Sequence, residues 1–254
     1  VTRKLKQNGL SASAKADSRT LIRRLYYTLT GLPPSFDEVT KKRDYQSLVD
    51  ELLASLQYGE HWGRHWLDIA RYSDTKGYVY GREERFWTHA WAYRDWVVKA
   101  LNNDLPYDRF LLLQIAADQI KDRQKDDEAA MGFLTLGRRF LGVKRDIIDD
   151  RIDVVTRGTM GLTVSCARCH DHKYDPIPTA DYYSLFSVFD SSAEKKVTLG
   201  DPEMGDETYR KKLKELREKY DKLFAELRQK ASDRARNRVA DYLFAMSKHG
   251  EMPT

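Results

Sequence analysis

The chain has 254 residues, enough for one large domain or two modest ones, and 41% of them are hydrophobic while 33% are charged. The mean hydropathy is -0.68, and no apolar run approaches the roughly twenty residues of a membrane helix, so we expect no membrane span. Two cysteines exclude a disulfide-dense scaffold.

The net charge of +5 is concentrated near the C-terminus. Residues 203–238 hold twelve Lys/Arg and eight Asp/Glu, which leaves the rest of the chain almost neutral. A surface that tracks nucleic acid needs cationic side chains without interleaved acids, because its affinity depends on the number of phosphates it neutralises. We therefore expect no nucleic-acid partner.

Helical patterns follow a polar N-terminal arm, residues 1–17. The first predicted helix is capped near Asp17, carries its apolar residues on one face and ends at Gly31, just before two prolines. Ser35 and Glu38 have the spacing of a capping box, which predicts a short second helix. A third is expected from the leucines between residues 48 and 56.

Two aromatic-rich helices are predicted next. The third helix should end at Tyr58-Gly59, and in the helix that follows His61, His65 and Asp68 share one face at i, i+4 and i+7. The second aromatic helix is expected from about Glu84 to Asn103. All five tryptophans lie between residues 62 and 96, where they form a core or also line the site of a flat cofactor.

The second half of the chain reads as helical too. A charged loop is predicted over residues 121–128, then an amphipathic helix from Asp149 towards Cys166 and a short helix from Asp181 to Phe189. No stretch shows sustained strand alternation. The predicted fold is therefore all-α.

Beyond residue 191 the composition changes. Apolar residues at spacings of 4, 3, 4, 3 and 4 from Tyr209 to Leu227 form a heptad seam, and a second apolar face follows around Leu243. This pattern predicts either a helical hairpin or a coiled coil. The expected organisation is an arm (1–17), a multi-helix haem-binding body (18–192) and a helical extension (193–254) that leads to a missing C-terminal domain.

The sequence Cys166-Ala-Arg-Cys169-His170 has the C-x-x-C-H spacing of c-type haem attachment. Two cysteines three residues apart on a helical turn point to the same side, so both can bond to the vinyl groups along one porphyrin edge. The adjacent imidazole of His170 is then the expected iron ligand. We predict one covalent haem c.

Two other interpretations of this segment stay open. Cys166, Cys169, His170 and His172 could form a zinc site, although adjacent histidine ligands strain a tetrahedron. The two thiols could also form a redox dithiol, which requires no histidine at that point. The neighbouring Asp171, His172 and Asp175 either cap helices, orient the proximal imidazole or bind a hard cation.

Other residues are candidates for completing a haem site. For the second axial position we expect His65 first, since it lies on the aromatic helix, followed by His61, His89 and Met160, and an open site is the alternative. Three arginines are candidates for charge-assisted bonds to haem propionates, or else for surface pairs with aspartate: Arg71, Arg94 and Arg168.

Several motifs in this order resemble the planctomycete-type cytochrome c family, exported bacterial domains that precede a second uncharacterised domain. The motifs include Thr30-Gly-Leu-Pro-Pro34, Trp66-Leu-Asp-Ile-Ala-Arg-Tyr72, Asn103-Asp-Leu-Pro-Tyr-Asp-Arg-Phe110 and Cys166-Ala-Arg-Cys-His-Asp-His-Lys-Tyr-Asp-Pro176. They cover about residues 18–192. One departure is Gln114-Ile-Ala-Ala117-Asp118, where the family tends to have glycine in place of Ala117.

The resemblance implies haem c on Cys166, Cys169 and His170, export to the periplasm or beyond, and a following domain or chain as partner. It implies no substrate. We expect an electron carrier for an attached or partner oxidoreductase. The alternatives are a haem enzyme acting on peroxide or an organic or carbohydrate substrate near His65, Tyr72 and Arg94, and a haem-stabilised assembly module without catalysis.

Overall fold

A computed structural model describes residues 1–81, 83–198 and 207–249 of the protein. Within these ranges the chain forms helices joined by loops and contains no β-strand, which confirms the all-α fold class. The chain divides into two compact units, Val1–Leu199 and Gly200–Thr254.

Four helices come first, and residues of the second, third and fourth form a small subcore. They are α1 (Thr2–Gln7), α2 (Ser18–Leu29), α3 (Phe36–Thr40) and α4 (Tyr45–Leu53). Helix α1 lies in the predicted arm. The predicted caps are confirmed: Asp17 accepts from the backbone N–H of Thr20, and Ser35 and Glu38 form a reciprocal capping box. Buried apolar residues of α2 and α4 pack together and form the centre of this subcore.

Two antiparallel helices follow, α5 (Leu56–Ile69) and α6 (Ala90–Asn102). The prediction that a helix ends at Gly59 is wrong, because Gly59 lies inside α5. Its backbone N–H donates to Asn102 Oδ1 at 2.8 Å, and a Cβ there would lie 2.6 Å from the carbonyl oxygen of Val98. The glycine is therefore needed where the two helices approach closely.

The predicted helix start at Glu84 is also wrong. An isolated antiparallel bridge pairs Thr75 with Phe86, and the backbone N–H of Lys76 donates to the carbonyl of Arg85 at 2.9 Å. These bonds hold the chain extended up to residue 86, so the helix begins only at Ala90.

The remaining helices of the first unit surround the larger core. They are α7 (Tyr107–Ala116), α8 (Gly132–Thr135), α9 (Lys144–Met160) and α10 (Thr179–Asp190), with short 3₁₀ helices at Ala117–Gln119, Lys125–Met131, Phe140–Gly142 and Val164–Arg168. Helix α10 is confirmed. The predicted charged loop is partly a 3₁₀ helix.

Helix α9 does not continue to Cys166 as predicted. It ends at Gly161, whose φ of +70° is a left-handed conformation that favours glycine. The chain then turns and begins the separate 3₁₀ helix Val164–Arg168. Near the end of this unit, Glu194 accepts from the buried Arg151 of α9 and, at 2.6 Å, from Arg139.

The second unit contains α11 (Glu207–Asn237) and α12 (Val239–His249). The predicted heptad seam lies on α11, where Tyr220 is 66% exposed and Leu227 54% exposed. Hairpin or coiled-coil pairing remains a prediction. No helix among the described residues is both long enough and apolar enough to cross a membrane.

Candidate functional site

The Cys166–His170 segment lies at the surface on a short 3₁₀ turn. Cys166 is inside this turn and Cys169 caps its end, so the two side chains are one turn apart. Both cysteines are exposed free thiols, whereas Ala167 between them is fully buried in the main core. The buried alanine fixes the turn to the body and leaves both sulfurs facing outward.

His170 keeps one ring nitrogen available. Its Nδ1 lies 2.8 Å from the backbone carbonyl oxygen of Asp171. A carbonyl can only accept, so Nδ1 carries the proton and the neutral ring has its lone pair on Nε2. Nε2 has no hydrogen-bond partner among the described residues, and the side chain is exposed. This is the tautomer that a metal-binding imidazole requires.

His172 has the opposite arrangement. Its side chain is only 6% exposed, and its Nδ1 accepts from the backbone N–H of Asp175 at 2.9 Å. The neutral ring therefore carries its proton on Nε2, which donates to Thr163 Oγ1 at 3.1 Å. Both nitrogens are used within the protein, so His172 fixes the loop rather than offering a ligand.

Asp171 caps a helix, one of the roles predicted for it. Its Oδ1 accepts from the backbone N–H of Thr179, the first residue of α10, at 2.8 Å. The backbone of His172 pairs with Ile177 at 2.9 Å across the same loop. The loop after His170 is therefore held by its own hydrogen bonds.

Arg168 binds the segment to α9 through two aspartates. Its guanidinium donates to Asp146 at 3.2 Å and to Asp149 at 3.3 Å. Asp149 also accepts from the hydroxyl of Tyr182, a fully buried residue of α10, at 2.7 Å. Burial and the adjacent Asp149 raise the pKa of Tyr182, so this hydroxyl keeps its proton. These four residues connect the turn to α9 and α10.

Arg71 and Arg94 also pair with aspartates. Arg71 Nε donates to Asp150 of α9 at 2.9 Å, and its Nη1 donates to the carbonyl of Phe133 at 2.8 Å. Arg94 pairs with its neighbour Asp95 at 2.8 Å on the surface of α6. All three arginines predicted to meet propionates thus have carboxylate partners in the fold.

His65 lies on the exposed face of α5. Its ring packs against those of His61 and Trp62, with centroids 5.1 and 5.5 Å away. These ring contacts lie within α5, and neither joins His65 to the Cys166–His170 segment. His89 is exposed at the N-terminus of α6, and Met160 is 57% exposed at the end of α9.

The tryptophans do not form one cluster. Trp96 is buried and Trp66 half-buried, whereas Trp62 and Trp91 are 39% and 51% exposed. Trp66 Nε1 and the hydroxyl of Tyr93 both donate to the side-chain oxygen of the fully buried Gln114, at 2.7 Å each. Trp66, Tyr93 and Trp96 are therefore core residues, and their polar atoms bond to the side chains of Gln114 and Asp127. Trp87 Nε1, in contrast, is buried without a hydrogen-bond partner among the described residues.

The zinc alternative has no ligand set in the part of the chain that the structure describes. No group of three or more His, Cys, Asp or Glu side chains is placed to hold a metal ion in those ranges. At the Cys166–His170 segment, His172 in addition has both ring nitrogens within hydrogen-bond distance of protein atoms.

A surface groove that the sequence did not predict lies between α5 and α6. It has a volume of about 730 Å³. The residues that line it are Leu56, Glu60, Arg64, Leu67, Asp68, Tyr72, Arg94, Asp95, Val98, Lys99, Asn102 and Asn103. The sequence contains a signal for it, since Glu60, Arg64 and Asp68 recur every four residues and so make a charged stripe along α5.

Comparison with known proteins gives one family. The family model described as "PSCyt2: Protein of unknown function (DUF1549)" matches residues 1–194. No curated protein and no solved structure matches the chain. The match covers about three quarters of the sequence.

Proposed function

The chain belongs to the PSCyt2 family of proteins of unknown function, and we propose that it is an exported c-type cytochrome domain. It carries one covalent haem and transfers electrons for an attached or partner oxidoreductase. One observation carries this proposal: two exposed thiols one turn apart are followed by an imidazole whose Nε2 has no hydrogen-bond partner in the part of the chain that the structure describes.

The donor set of the segment fits haem c. Cys166 and Cys169 would hold the porphyrin by thioether bonds, and His170 would bind the iron through Nε2. The bonded group supplies one-electron iron chemistry. The hydrogen bond from His170 Nδ1 to the carbonyl of Asp171 sets the ring orientation and increases the basicity of Nε2.

The residues around the segment hold it in place through ion pairs and hydrogen bonds. Arg168 is held by Asp146 and Asp149, and these two ion pairs fix the turn. His172 fixes the following loop. A rigid, exposed turn suits a carrier, because the partner protein can approach the edge where the thiols lie.

Maturation of the full chain tests the proposal directly. The protein is produced in the periplasm of bacteria with c-type haem maturation machinery, and its intact mass is measured. We expect a gain of one haem that Cys166→Ser with Cys169→Ser abolishes. His170→Gln is expected to change the haem spectrum, whereas His89→Gln, which removes another exposed imidazole, should leave attachment intact.

An unmodified mass, with free thiols or an S–S bridge, would refute the proposal if a known c-type cytochrome matures in the same cells. The carrier is distinguished from the enzyme by the spectrum of the reduced protein with carbon monoxide. A six-coordinate carrier is indifferent to the gas. A shifted spectrum would indicate open iron and favour the enzyme.

A further inference from the structure

The groove between α5 and α6 is separate from the Cys166–His170 segment, since no residue of that segment lines it. We propose that the groove binds a neutral oligosaccharide. This inference does not rest on haem. It rests on the shape of the groove and on how its charges are arranged.

Close helix packing creates the groove. Gly59 and Gly63 allow the backbones of α5 and α6 to approach, and a Cβ on Gly63 would lie 3.2 Å from Val98 Cγ2. Side chains on either side of such a contact diverge and form two walls. Leu67 and Val98 are half-buried between them and supply an apolar floor.

The walls carry three cations and three anions. Glu60, Arg64 and Asp68 lie on α5, opposite Arg94, Asp95 and Lys99 on α6. The helices are antiparallel: Gly59 bonds to Asn102 at one end, and Trp66 Nε1 donates to the hydroxyl of Tyr93 at 3.2 Å towards the other. Glu60 therefore lies near the level of Lys99, and Asp68 near that of Arg94.

These opposite charges do not pair across the groove. In residues 56–69 and 90–103, all of which the structure describes, no ion pair within 4.0 Å joins the two helices. Arg94 pairs along its own helix with Asp95, at 2.8 Å. Lys99 and Asp68 thus keep free donors and acceptors that face a common space.

A ligand for this space must offer both donors and acceptors and carry little net charge. Hydroxyl groups do both, because each has one proton to donate and lone pairs to accept. A ligand of one charge sign would be repelled by half of the wall residues. The apolar floor and the half-buried ring of Tyr72 suit the C–H faces of a sugar.

Peptide ligands fit less well. Strand addition, one mode of binding an extended peptide, needs a sheet edge, and the described residues contain no strand. An amphipathic helix would cover the six charged groups of the walls with apolar side chains and leave them without polar partners. The ligand class that matches the floor and the walls together is a polyhydroxylated chain without net charge.

Calorimetric titration of the full chain with hexasaccharides tests the inference. The probes are the neutral hexamers of maltose, cellulose, xylan and mannan type, one acidic hexagalacturonate and one cationic chitosan hexamer. We expect at least one neutral hexamer to bind, and at least tenfold more tightly than either charged one.

The groove is tested with Asp68→Asn combined with Lys99→Gln, which neutralises one charge on each wall. We expect this pair to weaken binding at least tenfold. The matched control is Asp37→Asn with Lys41→Gln, the same changes at exposed positions in and beside α3, and it should not alter binding. Circular dichroism verifies that both variants fold.

The inference is overturned if no neutral hexamer binds at millimolar concentration, if a charged hexamer binds more tightly, or if the groove variant binds as the parent does. Protein with Cys166→Ser and Cys169→Ser is expected to bind the same hexamer unchanged. Failure of this inference and failure of the haem proposal are therefore distinguishable.

Discussion

The aromatic interior and the Cys166–His170 segment differ in whether their polar side-chain atoms are hydrogen-bonded. Inside, Trp66 Nε1 and the hydroxyl of Tyr93 both donate to Gln114, which is fully buried and donates in turn to the carbonyl of Phe110. At the surface, the two thiols are free and exposed, and His170 Nε2 has no hydrogen-bond partner within residues 1–81, 83–198 and 207–249. The polar groups around Gln114 are thus paired inside the fold, whereas those of the exposed segment remain available to a ligand.

The largest expected effect is a loss of stability when the hydrogen bonds of Gln114 in the interior are removed. Gln114→Leu keeps a similar volume but removes the shared acceptor, so the Tyr93 hydroxyl and the Phe110 carbonyl lose a partner. We expect the free energy of unfolding to fall by about 2–3 kcal/mol, measured by urea denaturation.

Gln119→Leu is the control, because Gln119 is exposed and bonds only to the adjacent Asp118. It should change the free energy of unfolding by less than about 0.5 kcal/mol. Equal effects of the two substitutions would show that the interior network contributes nothing particular to stability.

A smaller effect is expected where the exposed segment is joined to the body. Asp149→Asn removes the charge opposite Arg168 and weakens the bond from the Tyr182 hydroxyl. We expect a loss of about 1–2 kcal/mol in the free energy of unfolding, with faster hydrogen exchange across residues 164–170.

Asp153→Asn breaks a pair of the same type between α9 residues, but its partner Arg157 is 64% exposed. Such surface pairs contribute about 0–1 kcal/mol, so this variant should be close to the parent protein. If hydrogen exchange at residues 164–170 is as slow in Asp149→Asn as in the parent protein, the ion pair with Arg168 does not fix the turn.

The smallest expected effect is a pH dependence of stability that comes from His61 on α5. Burial, together with His65 and Arg64, lowers the pKa of His61 below its ordinary value of 6.5. The unfolded chain then binds this proton at higher pH than the folded chain does. The contribution of the neutral His61 side chain to the free energy of unfolding is therefore complete above about pH 6.5 and is lost as the pH falls.

Between pH 7 and pH 5 we therefore expect the free energy of unfolding of the parent protein to fall by on the order of 0.5 kcal/mol more than that of His61→Gln. His89→Gln serves as the comparison, since it removes an exposed imidazole but keeps His61. The measurement is urea denaturation at a series of pH values. Parallel curves for parent and His61→Gln would contradict the assignment.

Local signals in the sequence were sufficient for part of the fold. The caps at Asp17 and at Ser35 with Glu38 act within one turn, and the structure has both. The all-α class followed from helical periodicity alone. Such features depend on neighbours a few residues away, which the sequence shows directly.

Features that depend on distant partners were mispredicted. Gly59 looked like a helix end because its reason, the close approach of Asn102, lies 43 residues further along. The helix start at Glu84 was wrong because Thr75 pairs with Phe86. Gly161 ends α9 before Cys166, although the sequence favoured a longer helix.

The candidate site shows the same division. The spacing of Cys166, Cys169 and His170 was visible in sequence, and the structure places them on one exposed turn and its end. The aspartates that hold Arg168 lie 19 and 22 residues away, and the partner of Arg71 lies 79 residues away. No local pattern identifies such pairs.

The bond between Arg151 and Glu194 places the last residue of the family match against α9. The same helix carries Asp146 and Asp149, which hold Arg168. The end of the family match and the turn that carries the two thiols are thus anchored to one helix, so the placement of both depends on α9.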